Sequence, residues 1–123
     1  MLWEDMLVQS PLDLPVSASE RDAIHEAVKI LSDCLPVDRI ILFGSKARGE
    51  DDDESDIDLL VLTRRTTTRG ERHAACDAVH PVQLQRGVVI SLLIVSTEDW
   101  TSGPFSVLPI HKEVEDQGVP VAA

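Results

Sequence analysis

The sequence lacks the features that would send it across or into a membrane. No run of 18 or more apolar residues occurs in its 123 residues, so no helical span of a bilayer is expected. Its opening stretch, MLWEDMLVQSPLDLP, carries acids where a secretory leader carries positive charge, and it has no long apolar centre. A cytoplasmic address is the expectation. Positive charge is scarce: 11 Lys and Arg stand against 22 Asp and Glu, a net charge of −11. A surface this acidic repels a phosphate backbone, so free DNA or RNA is not the expected partner. Cysteine is scarce as well. Cys34 and Cys76 form no C-x-x-C pair and no Cys/His cluster with zinc-ligand spacing. Each lies among apolar neighbours in a helix-like stretch and is expected to be a buried structural thiol. His25, His73, His80 and His111 show neither ligand spacing nor a nucleophile partner, and are expected on surfaces or helix faces.

What remains is a chain with 43% apolar residues, enough to bury a core without staples. The length holds one domain over residues 1–123, with no internal repeat and no linker. Ser17-Ala18-Ser19-Glu20 reads as a helix start in which Glu20 reaches back to its cap, followed by Ile24, Ala27, Val28 and Leu31 at helical spacing. Residues 39–43 (RIILF) predict a buried strand ending at Gly44, then a tight turn and a short helix over residues 45–49. Residues 56–63 (DIDLLVLT) predict a second strand, apolar on both faces from Leu59 onward, as in a central strand. A helix over residues 68–85 is expected to kink or break at Pro81. A third strand follows over residues 88–96, and a short helix begins at residues 97–100. The tail, residues 104–118, has a weak helical pattern interrupted by Pro109, before an edge strand at residues 119–121. The fold class is α/β in the α+β sense: a small mixed β-sheet with helices packed on it.

The chemistry concentrates between Gly44 and Leu62, in GSKARGEDDDESDIDLLVL. A strand running into Gly44-Ser45 and then a helical turn aims backbone N–H groups outward, an anion site that the helix dipole favours. Gly44 admits close approach to the backbone, and the Ser45 hydroxyl adds a hydrogen bond. Asp56 and Asp58 are two apart on a strand, so both carboxylates project from one face. Two carboxylates so close repel unless a cation sits between them. Hard oxygen ligands of this kind suit Mg²⁺ that also coordinates substrate phosphates. An acidic protein can hold a nucleotide in that way, because the metal reverses the local charge.

Gly-Ser, ten intervening residues and Asp-x-Asp resemble the nucleotidyltransferase superfamily of DNA polymerase beta. More narrowly, GSKARG…SDIDLLV is similar to the minimal nucleotidyltransferases, or MNT proteins, many of them paired with a HEPN toxin. The resemblance is densest over residues 44–62 and extends loosely to the closing PF…EVEDQGV segment. It implies the polymerase-beta type of nucleotidyltransferase fold. Gly44 and Ser45 would then hold the triphosphate of ATP or another nucleoside triphosphate, and Asp56 and Asp58 would ligate Mg²⁺. The implied reaction is in-line attack by a hydroxyl on the α-phosphorus, releasing pyrophosphate, with a HEPN-type partner protein as acceptor and the chain as its antitoxin. A homo-oligomer is left open. The family supplies a third carboxylate from the third strand, and VVISLLIVS has none. Val89 and Ser91 share a face there, and the resemblance places Val89 where the acid would stand. Nucleotide binding is therefore expected, rapid turnover is not, and the alternative is a weak enzyme that neutralises its partner by contact.

Lys46 and Arg48 follow the turn. Each either touches a β- or γ-phosphate or pairs with the acidic loop beside it, and Lys46 is carried forward as a nucleotide contact. The acidic run at residues 50–54 reads as a solvated loop tip. Trp3 and Leu7 in front and residues 105–110 behind are apolar ends that either pack into the core or face a partner.

Overall fold

The computed structural model describes residues 16–49 and 56–122. Helix α1 (Ala18–Cys34) begins at the expected capping box, in which the Ser17 hydroxyl accepts from the Glu20 N–H and the Glu20 carboxylate accepts from the Ser17 N–H. Its buried stripe is Ala23, Ile24, Ala27 and Leu31. Strand β1 (Val37–Phe43) follows, then the one-turn helix α2 (Ser45–Arg48), and strand β2 (Ile57–Thr63). Helix α3 (Arg69–Arg86) opens on a second capping box, Thr68 with Glu71, and ends at Gly87 in the left-handed conformation. Strand β3 (Ile90–Ser96) leads through the Ser96 cap into helix α4 (Thr97–Thr101). A 3-10 turn (Pro104–Val107), helix α5 (Pro109–Gln117) and strand β4 (Val119–Ala122) complete the chain.

The four strands form one mixed sheet in the order β3-β2-β1-β4, in which β2 and β3 run parallel and the other neighbours antiparallel. Helices α1 and α3 pack together on one face, against Ile40, Leu42, Ile57, Leu59 and Val61. On the other face Trp100 and Val114 pack against Ile41, Leu60, Leu62 and Val95. Central β2 is thus buried on both faces, as its apolar run requires. Trp100 is fully buried; its indole N–H donates to Glu115 Oε1 at 3.3 Å, and His111 stacks on its ring at 4.7 Å between centroids.

Three local expectations are corrected. Helix α3 runs through Pro81 without a break: Pro81 is exposed, and buried Val79 and Val82 on either side hold the turn in place. Pro109 starts α5 instead of interrupting it, because its missing N–H is unneeded in a first turn. Cys34 and Cys76 are both exposed. Cys76 follows buried Ala75 and so is rotated about 100° off the buried stripe, while Cys34 falls in the last turn of α1.

One polar contact crosses this apolar frame. Lys46 on α2 is fully buried and forms an ion pair with Glu20 of α1. Glu20 thereby caps its own helix with one oxygen and holds the ammonium of α2 with the other. Burial alone raises the Glu20 pKa, but the hydrogen bond from Lys46, the cap bonds with Ser17 and the Lys46 charge outweigh it. The net position is below the ordinary carboxylate value. A carboxylate depressed in the folded state stabilises the fold above its unfolded pKa and loses that contribution as pH falls through the folded pKa. Glu20→Gln keeps the cap but leaves Lys46 buried with one counter-charge fewer, at a cost of about 3 kcal/mol. Denaturant melts at neutral pH should show that loss, and melts below pH 4.5 should show the two proteins converging.

Candidate active site

The turn after β1 is built around Gly44, which sits at φ +75° and ψ −158°, a conformation that residues with a Cβ rarely adopt. The Gly44 carbonyl accepts from the N–H groups of Ala47 and Arg48 at 3.1 and 3.3 Å, so the Ser45 N–H lies ahead of the helical ladder. A Cβ at Gly44 would stand 2.5 Å from Asp58 Oδ2. The carboxylate of β2 therefore lies directly against the bare backbone of the turn. The cause is the sheet register: antiparallel pairing sets Phe43, the residue before Gly44, opposite Asp58. Eleven residues lie between Gly44 and Asp56 in the chain, and the antiparallel pairing of β1 with β2 brings them to one end of the sheet.

Asp58 is half-buried and Asp56 is exposed. The Asp58 pKa is raised first by burial and then by the negative charges of Asp56 and Glu113. Those same charges would be relieved by a cation, and the donors are hard carboxylate oxygens. The pair therefore fits a divalent ion such as Mg²⁺ that takes its other ligands from water and phosphate. Among the described residues no group of three or more His, Cys, Asp or Glu is arranged to hold a metal by protein ligands alone.

The neighbour on β3 is Ser91. It is the register partner of Asp58, and its hydroxyl donates to Asp56 Oδ2 at 3.2 Å. Val89 lies two residues earlier, just before β3, with 54% of its surface exposed, and its carbonyl accepts from the Ile57 N–H. The side chain from β3 that meets the acid pair is thus Ser91, and β3 contributes no carboxylate.

Lys46 and Arg48 take partners that sequence proximity did not suggest. Lys46, expected as a nucleotide contact, has its ammonium buried against Glu20, because α2 turns that side chain inward beneath α1. Arg48 donates to Glu113 Oε1 at 2.8 Å and to Gln117 Oε1 at 3.5 Å on α5. Residues 50–54, Trp3 and Leu7 lie outside the described residues. Of the apolar segment at residues 105–110, Phe105 and Ile110 pack against the Trp100 core while Val107 is 83% exposed. His25, His73 and His80 are exposed, as expected, and His111 is half-buried on Trp100.

Glu113, and the pairing of the capping residue Glu20 with Lys46, are what the sequence did not reveal in this region. Both act across elements far apart in the chain. For Glu113 the available signal was the EVEDQGV segment, whose acids could not be aimed at the site without knowing where α5 packs.

A nucleotidyltransferase domain model matches residues 24–116. A protein of Methanocaldococcus jannaschii that carries the provisional name protein adenylyltransferase is 38% identical over 102 residues, covering 81% of this chain and 96% of that protein. Among solved structures, a provisionally named minimal nucleotidyltransferase superposes with a TM-score of 0.59 at 21% identity, covering 83% of this chain and 92% of its own. The structure of a tri-AMPylated Shewanella oneidensis HEPN toxin with its MNT antitoxin superposes with a TM-score of 0.53 at 20% identity, covering 83% and 71%. These two likenesses are of fold, and they agree with the mixed sheet described above. The family match spans most of the chain and includes both the glycine turn and the acid pair, so the chain belongs to the nucleotidyltransferase domain family and is a nucleotidyltransferase.

Proposed function

We propose that the chain transfers AMP from ATP, in the presence of Mg²⁺, to a hydroxyl group of a HEPN-type partner protein and so acts as its antitoxin. The observation that supports this reading is the closeness of Asp58 to Gly44, which brings the glycine turn and the pair of carboxylates together. Gly44 and Ser45 would receive the triphosphate on backbone N–H groups and the Ser45 hydroxyl. Asp56 and Asp58 would hold the metal, which when bound neutralises phosphate charge and polarises the α-phosphorus. Ser91 fixes the rotamer of Asp56 through its hydroxyl, so the outer carboxylate is already aimed before a nucleotide arrives. Asp58, whose pKa is raised by burial and then by two neighbouring acids, gains most when a cation offsets that charge. The provisional name of the archaeal relative supports adenylyl transfer to protein, and the AMP-bearing toxin of the Shewanella complex supports a HEPN acceptor.

A second reading is favoured by one observation: the resemblance placed Val89 at the third acid, but the β3 side chain beside Asp56 and Asp58 is Ser91, and neither residue is a carboxylate. With Ser91 at that position the chain would bind the nucleotide and neutralise its partner by contact, with little turnover.

Four substitutions separate these readings. Calorimetry of the wild type should show ATP binding that strengthens with Mg²⁺, and Asp56→Asn combined with Asp58→Asn should remove the magnesium-dependent part. Binding that ignores magnesium in the wild type would refute the metal assignment. Gly44→Ala should lose ATP binding by at least tenfold, since its Cβ would displace the Asp58 carboxylate and strain the backbone. Ser91→Asp should raise pyrophosphate release with the partner present by about tenfold or more, because a carboxylate there completes the acceptor side. An unchanged rate in Ser91→Asp would mean that Ser91 does not stand on the acceptor side.

A further inference from the structure

The two edges of the sheet are finished differently. On the β4 side the edge strand has four residues, and one of them is Pro120, which cannot donate to a further ladder. On the β3 side the edge strand has seven residues, ISLLIVS, without charge, proline or bulge. Natural sheets normally blunt such an edge.

The hydrogen-bond phase of β3 shows which groups are open. The Ile57 N–H donates to the Val89 carbonyl, so along this parallel ladder the odd-numbered residues of β3 direct their backbone groups to β2. Even-numbered Ile90, Leu92 and Ile94 therefore direct theirs away from the sheet. At Ile90 the outward N–H is taken by the Gln83 side chain at 3.0 Å. At the other end Ser96 turns into α4 as its cap. Among the described residues no strand lies beyond Leu92 and Ile94, and these two residues flank Leu93 symmetrically. Leu92, Leu93 and Ile94 are each only half-buried, although helices cover both faces of the sheet.

We infer that β3 is an interface at which two copies of this chain pair edge to edge, antiparallel, about a two-fold axis through Leu93. In that register Leu92 of one copy exchanges both main-chain hydrogen bonds with Ile94 of the other, and the two Leu93 residues form the close, non-hydrogen-bonded pair. The four bonds use the open groups of both copies. A two-fold contact requires a self-complementary strip, and an uncharged segment with its open groups spaced evenly about one residue meets that requirement. It also lets two chains of net charge −11 approach at a place where neither carries a charged side chain. The Gln83 cap keeps added strands from sliding toward Val89, which fixes the register.

The test uses the full chain with both exposed cysteines replaced, Cys34→Ser and Cys76→Ser, and does not depend on the nucleotide reading. Sedimentation should show a reversible dimer, and hydrogen exchange at the Leu92 and Ile94 amides should slow as concentration rises while the Leu93 amide stays protected throughout. Leu93→Cys in that background should form an intermolecular disulfide on oxidation, and Leu92→Cys should not. Leu92→Pro, at an outward N–H that β2 does not use, should weaken dimerisation about tenfold or more and leave magnesium-dependent ATP binding unchanged. A monomer at all concentrations with concentration-independent exchange overturns the inference. So does a dimer indifferent to Leu92→Pro with no Leu93 cross-link.

Discussion

The contact between the Gly44 backbone and the Asp58 carboxylate sets the form of the whole site, since no side chain fits between them. It requires a glycine at positive φ at the end of β1, and it requires β1 and β2 to pair in the register that sets Phe43 against Asp58. Shifting that register by one residue would turn Asp58 into the apolar layer beneath α1 and α3 and move Ile57 and Leu59 to the opposite face, which Trp100 and Val114 pack. The two-sided burial of β2 and the geometry of the site are therefore one constraint. Core packing on both faces of β2 maintains it.

Electrostatics makes the same region costly without a ligand. Asp56, Asp58 and Glu113 converge on one end of the sheet, and burial adds to the penalty on Asp58. Two cross-element ion pairs hold the turn in place beside these acids. Lys46 binds α2 to α1 through Glu20, and Arg48 binds α2 to α5 through Glu113. The short helix that follows the glycine turn is thus held from both faces of the sheet. It has too few residues to be stable alone, so these contacts position it. A divalent ion with a nucleotide would discharge the repulsion among those acids, which links the chain's acidity to its chemistry.

Much of this was legible in the residues. The Ser17–Glu20 box, the two-sided apolar run of β2 and the Gly-Ser and Asp-x-Asp spacing each follow from local rules, and the structure assembles those elements as expected. What sequence could not show were contacts between distant elements. Lys46 faces inward because α1 supplies Glu20, and Ser91 meets Asp56 because the parallel register of β2 and β3 is set by long-range packing. The cysteines misled for a related reason. Apolar neighbours identify a helix, but one residue of rotation decides which face reaches solvent.

The central claim is that the turn and the acid pair act together to move AMP onto a protein hydroxyl. Intact-mass spectrometry tests it most directly, on a candidate HEPN-type partner protein after incubation with this chain, ATP and Mg²⁺. The account predicts that the partner gains mass in whole AMP increments, and that none appear when Asp56 and Asp58 are both asparagine. A partner that gains only phosphate increments, or the same AMP increments without the two aspartates, would contradict it.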